Sequence, residues 1–228
     1  MNGIELQAAS VDVSGQILLH PLTLHLTERR IAVLGRNGAG KTTLLRLMAG
    51  LMPPTSGTVI VEGADPSDRR AMLGAIGILF QNPDHQIIFP TVEEELAFGL
   101  RQMGHADPDG TARAALAAEG RADWAGRPVS TLSQGQKQYL CLLSILLMGP
   151  KTILLDEPFA ALDLPTRLRL QRRLAALPQR LVTITHDPAS VMGCDRVLWL
   201  DGGRVLADGA PDAVLPPFMA EMERLGAE

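Results

Sequence analysis

Residues 35–43 read GRNGAGKTT and contain the pattern G-x-x-x-x-G-K-T, directly after the apolar run IAVL at 31–34. Gly35, Gly38 and Gly40 let a backbone fold tightly around an anion with its N–H groups pointing inward. Asn37, Ala39 and Thr43 belong to the same cradle. A helix opening near Lys41 adds the positive end of its dipole. The Lys41 ammonium can reach β- and γ-phosphates, and the Thr42 hydroxyl can sit on Mg²⁺. A glycine-rich strand-to-helix turn can be merely structural, but the strand before it and the helix after it favour a phosphate site. The stretch therefore predicts binding of a nucleoside triphosphate.

Two further constellations fit that chemistry. TILLDEP at 152–158 is an apolar strand that ends in carboxylates, and open α/β sheets bind ligands at the carboxyl ends of their strands. Asp156 can hold Mg²⁺ through water, and Glu157 can polarise an attacking water. LSQGQ at 132–136 places the Ser133 hydroxyl and the bare backbone of Gly135 at a helix start, which makes a second anion-binding arrangement.

The elements that must position these residues can be read from periodicity. Residues 4–26 alternate as antiparallel strands do, notably in L22-T-L24-H-L26. IAVL reads as a buried parallel strand, followed by a helix from about Lys41 to Leu51. TVIVEG at 58–63 and AIGILFQ at 75–81 read as strands. From about Thr91 to Arg127 the pattern is helical, with a turn at GHADPDG, 104–110. Helices at 134–148 and 166–176 flank the strand at 152–156, and a strand follows at 180–187. DRVLWLDGGRVLADG at 195–209 reads as a hairpin with Gly-Gly at its turn. The tail from Pro211 reads as a short amphipathic helix.

Composition sets the bounds. The 228 residues are 46% apolar and 20% charged, as in a globular chain with a sizeable core. A net charge of −4 with intermingled signs gives no support to nucleic-acid binding. The two cysteines, Cys141 and Cys194, lack metal-ligand spacing and read as free thiols in a reducing compartment. MNGIELQAAS does not look like a signal peptide, and YLCLLSILLM at 139–148 is about half of what spans a bilayer. The expectation is a soluble cytoplasmic chain.

Taken in order, the phosphate loop, Gln81 after AIGILF, the signature LSQGQ, TILLDEP, ALD at 161–163 and His186 after LVTIT form a series of six landmarks. With them the chain resembles the nucleotide-binding subunit of an ATP-binding cassette (ABC) transporter, from about residue 4 to 210. The resemblance implies an α/β fold, a P-loop NTPase core with an antiparallel β subdomain and an inserted helical subdomain. The β-rich core would cover about 1–90 and 150–210, the helical subdomain about 91–149, and a short C-terminal helix 211–228. Gln81 would ligate Mg²⁺ and sense the γ-phosphate. His186 would contact that phosphate and hold Glu157 and the water in line. Asp163 would make contacts between subunits. Ser133, Gly135 and Gln136 would grip the γ-phosphate of ATP held by a second ATPase subunit, identical or a paralogue, so that two chains enclose two nucleotides.

Three positions depart from the family pattern. Gln134 stands where the signature usually has Gly. Val13 stands about where an aromatic residue stacks on adenine, so base contact should be weaker. The arginine usual a few residues after the signature is replaced within YLCLLS. QNPDHQIIFPTVEEELAFG at 81–99 is similar to the corresponding region of ATPases from energy-coupling-factor importers of vitamins, such as biotin, or of cobalt and nickel ions. In that class Gln86 and the following helix approach the groove that receives a transmembrane scaffold. The resemblance thus implies a scaffold docking near Gln81–Gly99, a small membrane substrate-binding subunit served indirectly, no nucleic acid, and a peripheral location on the cytoplasmic face of the inner membrane. The alternatives are an ATPase of another ABC transporter class, a non-transport cassette ATPase, or a P-loop kinase of small molecules.

Overall fold

The computed structural model describes residues 3–160 and 162–227. Its strands in chain order are β1 (Ile4–Val13), β2 (Gln16–Leu26), β3 (Arg30–Leu34), β4 (Ser56–Val61), β5 (Ile76–Leu79), β6 (Thr152–Asp156), β7 (Arg180–Thr185), β8 (Arg196–Asp201) and β9 (Arg204–Gly209). The helices are α1 (Lys41–Met48), α2 (Arg69–Ala75), α3 (Val92–Gln102), α4 (Pro108–Ala118), α5 (Gln134–Leu147), α6 (Leu164–Ala176) and α7 (Pro211–Gly226). Two compact units result: Met1–Ile76 with Lys151–Glu157 and Gln179–Glu228, and Gly77–Pro150 with Pro158–Pro178.

The first unit contains two sheets. One is antiparallel, ordered β2-β1-β4, and the period-2 pattern buries Leu22, Leu24 and Leu26 while Thr23 and His25 face outward. In the other, β6, β7, β3 and β8 lie side by side and parallel, and β9 pairs antiparallel with β8. Ile31, Ala32, Val33 and Leu34 of β3 are completely buried, as a central parallel strand requires. Helix α7 covers part of this sheet, with Val214 and Phe218 packed among Leu34, Val197 and Trp199. α1 ends at Met48, short of the expected Leu51. Gly50 takes φ +66°, and the N–H of Leu51 donates to the Arg46 carbonyl at 2.9 Å, which closes the helix.

The second unit is mainly helical. α3, α4 and α5 enclose a core of Leu96, Ala97, Leu116, Trp124, Leu132 and Leu140. The segment expected as a turn at 104–110 already begins α4 at Pro108, because Asp107 caps it: Oδ1 accepts the Gly110 N–H at 2.8 Å and Pro108 fits the first helical position. α6, read from the sequence as part of the core, groups with this unit. Gly135 approaches Thr166 so closely that a Cβ would lie 2.5 Å from its methyl carbon, and Arg173 of α6 is ion-paired with Glu119. Among the described residues, no helix is long and apolar enough to cross a membrane.

Candidate nucleotide site

Sheet register assembles the first unit's site. Leu34 is paired with Thr185, and Asp156 with Ile184. Strands β3, β7 and β6 therefore end together, so Gly35, His186 and the Asp156–Glu157 pair emerge at one edge.

Gly35 leaves β3 where a Cβ would lie 2.2 Å from the Leu200 carbonyl oxygen, so no larger residue fits. Gly40 caps α1 at φ +101°, a conformation that L side chains rarely adopt. The loop is braced from outside: the Gly203 N–H donates to the Ala39 carbonyl at 3.0 Å, and the His20 N–H to the Gly203 carbonyl at 3.0 Å. Lys41 is buried, and its ammonium donates to the carbonyls of Gly35 at 2.7 Å and Arg36 at 2.9 Å. The charge is thus centred in the curl of the loop. Burial lowers the Lys41 pKa, while the charges of Glu157 and Asp156 oppose that shift. Thr42, in the first turn of α1, is exposed.

Asp156 is half-buried at the end of β6. Burial raises its pKa, the Glu157 charge adds to the rise, and Lys41 and Arg46 oppose it. Glu157 has φ +46°, left-handed backbone that costs a non-glycine residue on the order of 1 kcal/mol. Its N–H donates to the Ile184 carbonyl at 3.0 Å, which holds that conformation. The Glu157 carboxylate in turn lies 2.8 Å from His186 Nδ1. The histidine side chain is 58% exposed and the glutamate 13%, so the imidazole points a solvent-facing edge away from a sheltered carboxylate. With Nδ1–H donating to Glu157, Nε2 is free to face a ligand.

The other site residues read from the sequence lie on other elements, most of them in the second unit. Val13, at the end of β1, is 48% exposed. Gln81 is exposed just after β5, in the second unit. Ser133, Gly135, Gln136 and Asp163 line one cavity of about 380 Å³ within the second unit. Ser133 caps α5 in a reciprocal box: its hydroxyl accepts the Gln136 N–H at 3.3 Å, and Gln136 Oε1 accepts the Ser133 N–H at 2.9 Å. Asp163 caps α6 through the Thr166 N–H at 2.8 Å. In the ALD loop, Ala161 lies outside the described residues.

Sequence reading missed the side chains around the absent arginine. Tyr139 donates its hydroxyl to Glu119, which also pairs with Arg173, and the Arg121 guanidinium lies 4.7 Å from the Tyr139 ring centroid. A positive charge still reaches this face of α5, carried by Arg121 from another segment. The local signal in the sequence was YLCLLS, standing where the resemblance leads to an arginine being expected.

The fold is that of a P-loop ATPase, with the phosphate loop, acidic strand end and histidine at one edge of a parallel sheet. Comparison with known proteins makes this specific. Residues 19–160 match the family model described as ABC transporter. The chain is 54% identical to the biotin transport ATP-binding protein BioM of Rhodobacter capsulatus, over 99% of this chain and 97% of that one. It is 38% identical to the energy-coupling factor transporter ATP-binding protein EcfA1 of Levilactobacillus brevis, over 84% of this chain and 71% of that one. The solved structure of cbiO1 from Clostridium perfringens, part of the ABC transporter complex cbiONQ, superposes with a TM-score of 0.79 at 27% identity, covering 100% of this chain and 98% of that one. The chain belongs to the ABC transporter family as an ATP-binding subunit, and ATP hydrolysis is its activity.

Proposed function

We propose that the chain hydrolyses Mg·ATP at a site completed by a second ATPase subunit, and that closure of the pair powers an energy-coupling-factor importer, with biotin as its cargo. One observation carries the chemistry: the 2.8 Å contact between His186 Nδ1 and Glu157 at the edge that holds the phosphate loop. Glu157 is the general base for the attacking water. His186 orients that carboxylate and offers Nε2 to the γ-phosphate. Lys41 and the loop amides hold the β- and γ-phosphates, so catalysis rests on positioning and electrostatics. Ser133, Gly135 and Gln136 of the other subunit close over the γ-phosphate, Asp163 serves contacts between subunits, and Gln81 senses the nucleotide.

Thr42 and Asp156 fit Mg²⁺, because both offer hard oxygen donors, and burial first and the Glu157 charge second disfavour an uncompensated Asp156 carboxylate, which a cation beside it would relieve. Among the described residues no group of three or more His, Cys, Asp or Glu side chains is arranged to hold a metal ion by itself, and phosphates and water would complete the shell of an ion held by Thr42 and Asp156. Bound there, Mg²⁺ would neutralise charge on the phosphates.

Support for the importer class and for biotin comes from the relatives, above all the full-length match at 54% identity. The chain would work peripherally on the membrane, held by a transmembrane scaffold at Gln81–Gly99. Extracted in mild detergent, the tagged chain is expected to bring down hydrophobic subunits, and cells lacking it should lose high-affinity uptake of labelled biotin. Loss of cobalt or nickel uptake instead would reassign the cargo. A chain found without any membrane subunit would sink the transporter reading.

The base-contact position gives a separate prediction. Exposed Val13 offers adenine only a small apolar surface, whereas an aromatic ring contributes about 1–3 kcal/mol of stacking. Val13→Tyr is therefore expected to lower the Kd for ATP by about fivefold or more. Unchanged affinity by calorimetry would place the base elsewhere.

A further inference from the structure

Helix α5 has two working faces. Gly135, Gln136 and Tyr139 look into the 380 Å³ cavity. On the opposite side stand Gln134, Lys137 and Gln138, spaced i, i+3 and i+4, and each donates to the segment after β5. Gln134 Nε2 reaches Asp84 Oδ2 at 3.0 Å, and Lys137 Nζ reaches Asp84 Oδ1 at 2.6 Å. Gln138 Nε2 reaches the Phe80 carbonyl at 3.3 Å. The far end of the segment is fastened too. Buried Glu95 accepts the N–H groups of Ile88 and Phe89, both at 2.9 Å, while Ile88 itself is 70% exposed.

We infer that Asp84 is a positioning residue, whose carboxylate ties the start of the signature helix to residues 80–89 so that displacement of either is carried to the other. Gln134, one of the departures from the family pattern, supplies one of the two donors; a glycine there could supply none. The tie spans 50 and 53 residues of sequence and uses both carboxylate oxygens, one of them in an ion pair with Lys137. Stability alone does not account for it: the Asp84 side chain is 45% exposed, and exposed ion pairs contribute little to folding. The functional consequence rests on the reading that a membrane scaffold docks on 81–99 and that Ser133 faces the nucleotide of a second subunit. Movement imposed at Ile88 would then reach the signature, and nucleotide-driven movement of the signature would reach the scaffold.

The test compares Asp84→Ala with the parent chain, both alone and in the membrane complex reconstituted in vesicles. Alone, the variant is expected to keep its melting temperature and its basal ATP hydrolysis within about twofold. In the complex, cargo-stimulated hydrolysis and uptake should fall about fivefold. Asp84→Lys combined with Lys137→Asp restores opposite charges and should recover at least half of the loss, which a merely structural lesion would not. Amide hydrogen exchange on the isolated variant should rise together at 82–88 and 133–137. Undiminished stimulation, a swap without rescue, or exchange rising in one segment only would overturn the tie. If the parent chain forms no membrane complex, the transporter reading fails, while the exchange measurement still decides the tie.

Discussion

Glu157→Gln should leave ATP binding within about twofold of the parent and reduce turnover by 100-fold or more, the lower range of what a positioned general base contributes. The substitution is nearly isosteric. Its amide oxygen can still accept from His186 Nδ1, now 2.8 Å from the carboxylate, so the imidazole stays oriented. The left-handed φ of +46° is as tolerable for Gln as for Glu, so no new strain appears. What disappears is the capacity to take a proton from water. With hydrolysis blocked, ATP should hold two subunits together, visible as an ATP-dependent shift to a dimer in size-exclusion chromatography. Near-normal hydrolysis would remove Glu157 as the base.

Ser133→Asp should also reduce hydrolysis about 100-fold, for a different reason. Ser133 does two jobs in the proposed mechanism, capping α5 and closing on the γ-phosphate of a second subunit's nucleotide. Asp caps as well as Ser, accepting the same Gln136 N–H, so the melting temperature should stay within about 2 °C. Its negative charge, however, opposes a terminal phosphate at close range, where like charges cost the most. Nucleotide binding to the single chain should be unaffected, because that subunit's phosphate loop is intact. Combined loss of activity and of melting temperature would show only a damaged helix. Undiminished activity would argue against the composite site.

Much of the site was legible because it is written in local backbone chemistry. Glycines at 35, 38 and 40 specify a loop that larger residues cannot form, and a continuous apolar run before them specifies a buried strand. The acidic end of TILLDEP and the serine at the start of LSQGQ are likewise short-range signals, since strand ends and helix caps involve residues only a few positions apart. The hairpin at 195–209 was marked by its Gly-Gly turn. Helix ends were less legible: α1 closes early because Gly50 terminates it, and α4 opens early because Asp107 outcompetes the turn signal around it.

By itself, the sequence determined that a glycine-rich strand-to-helix loop, an acidic strand end and a helix opened by LSQGQ exist, and in what order. Tertiary structure alone decided which side chains meet. His186 reaches Glu157 across 29 positions because β6, β7 and β3 share a register that no local pattern encodes. Lys41 is centred by carbonyls because its loop curls back over it. Asp84 finds Gln134 and Lys137, and Tyr139 finds Glu119, across segments whose spacing carries no periodicity. Dihedral preferences act within a few residues and can be read from them, whereas these pairings depend on how whole elements pack.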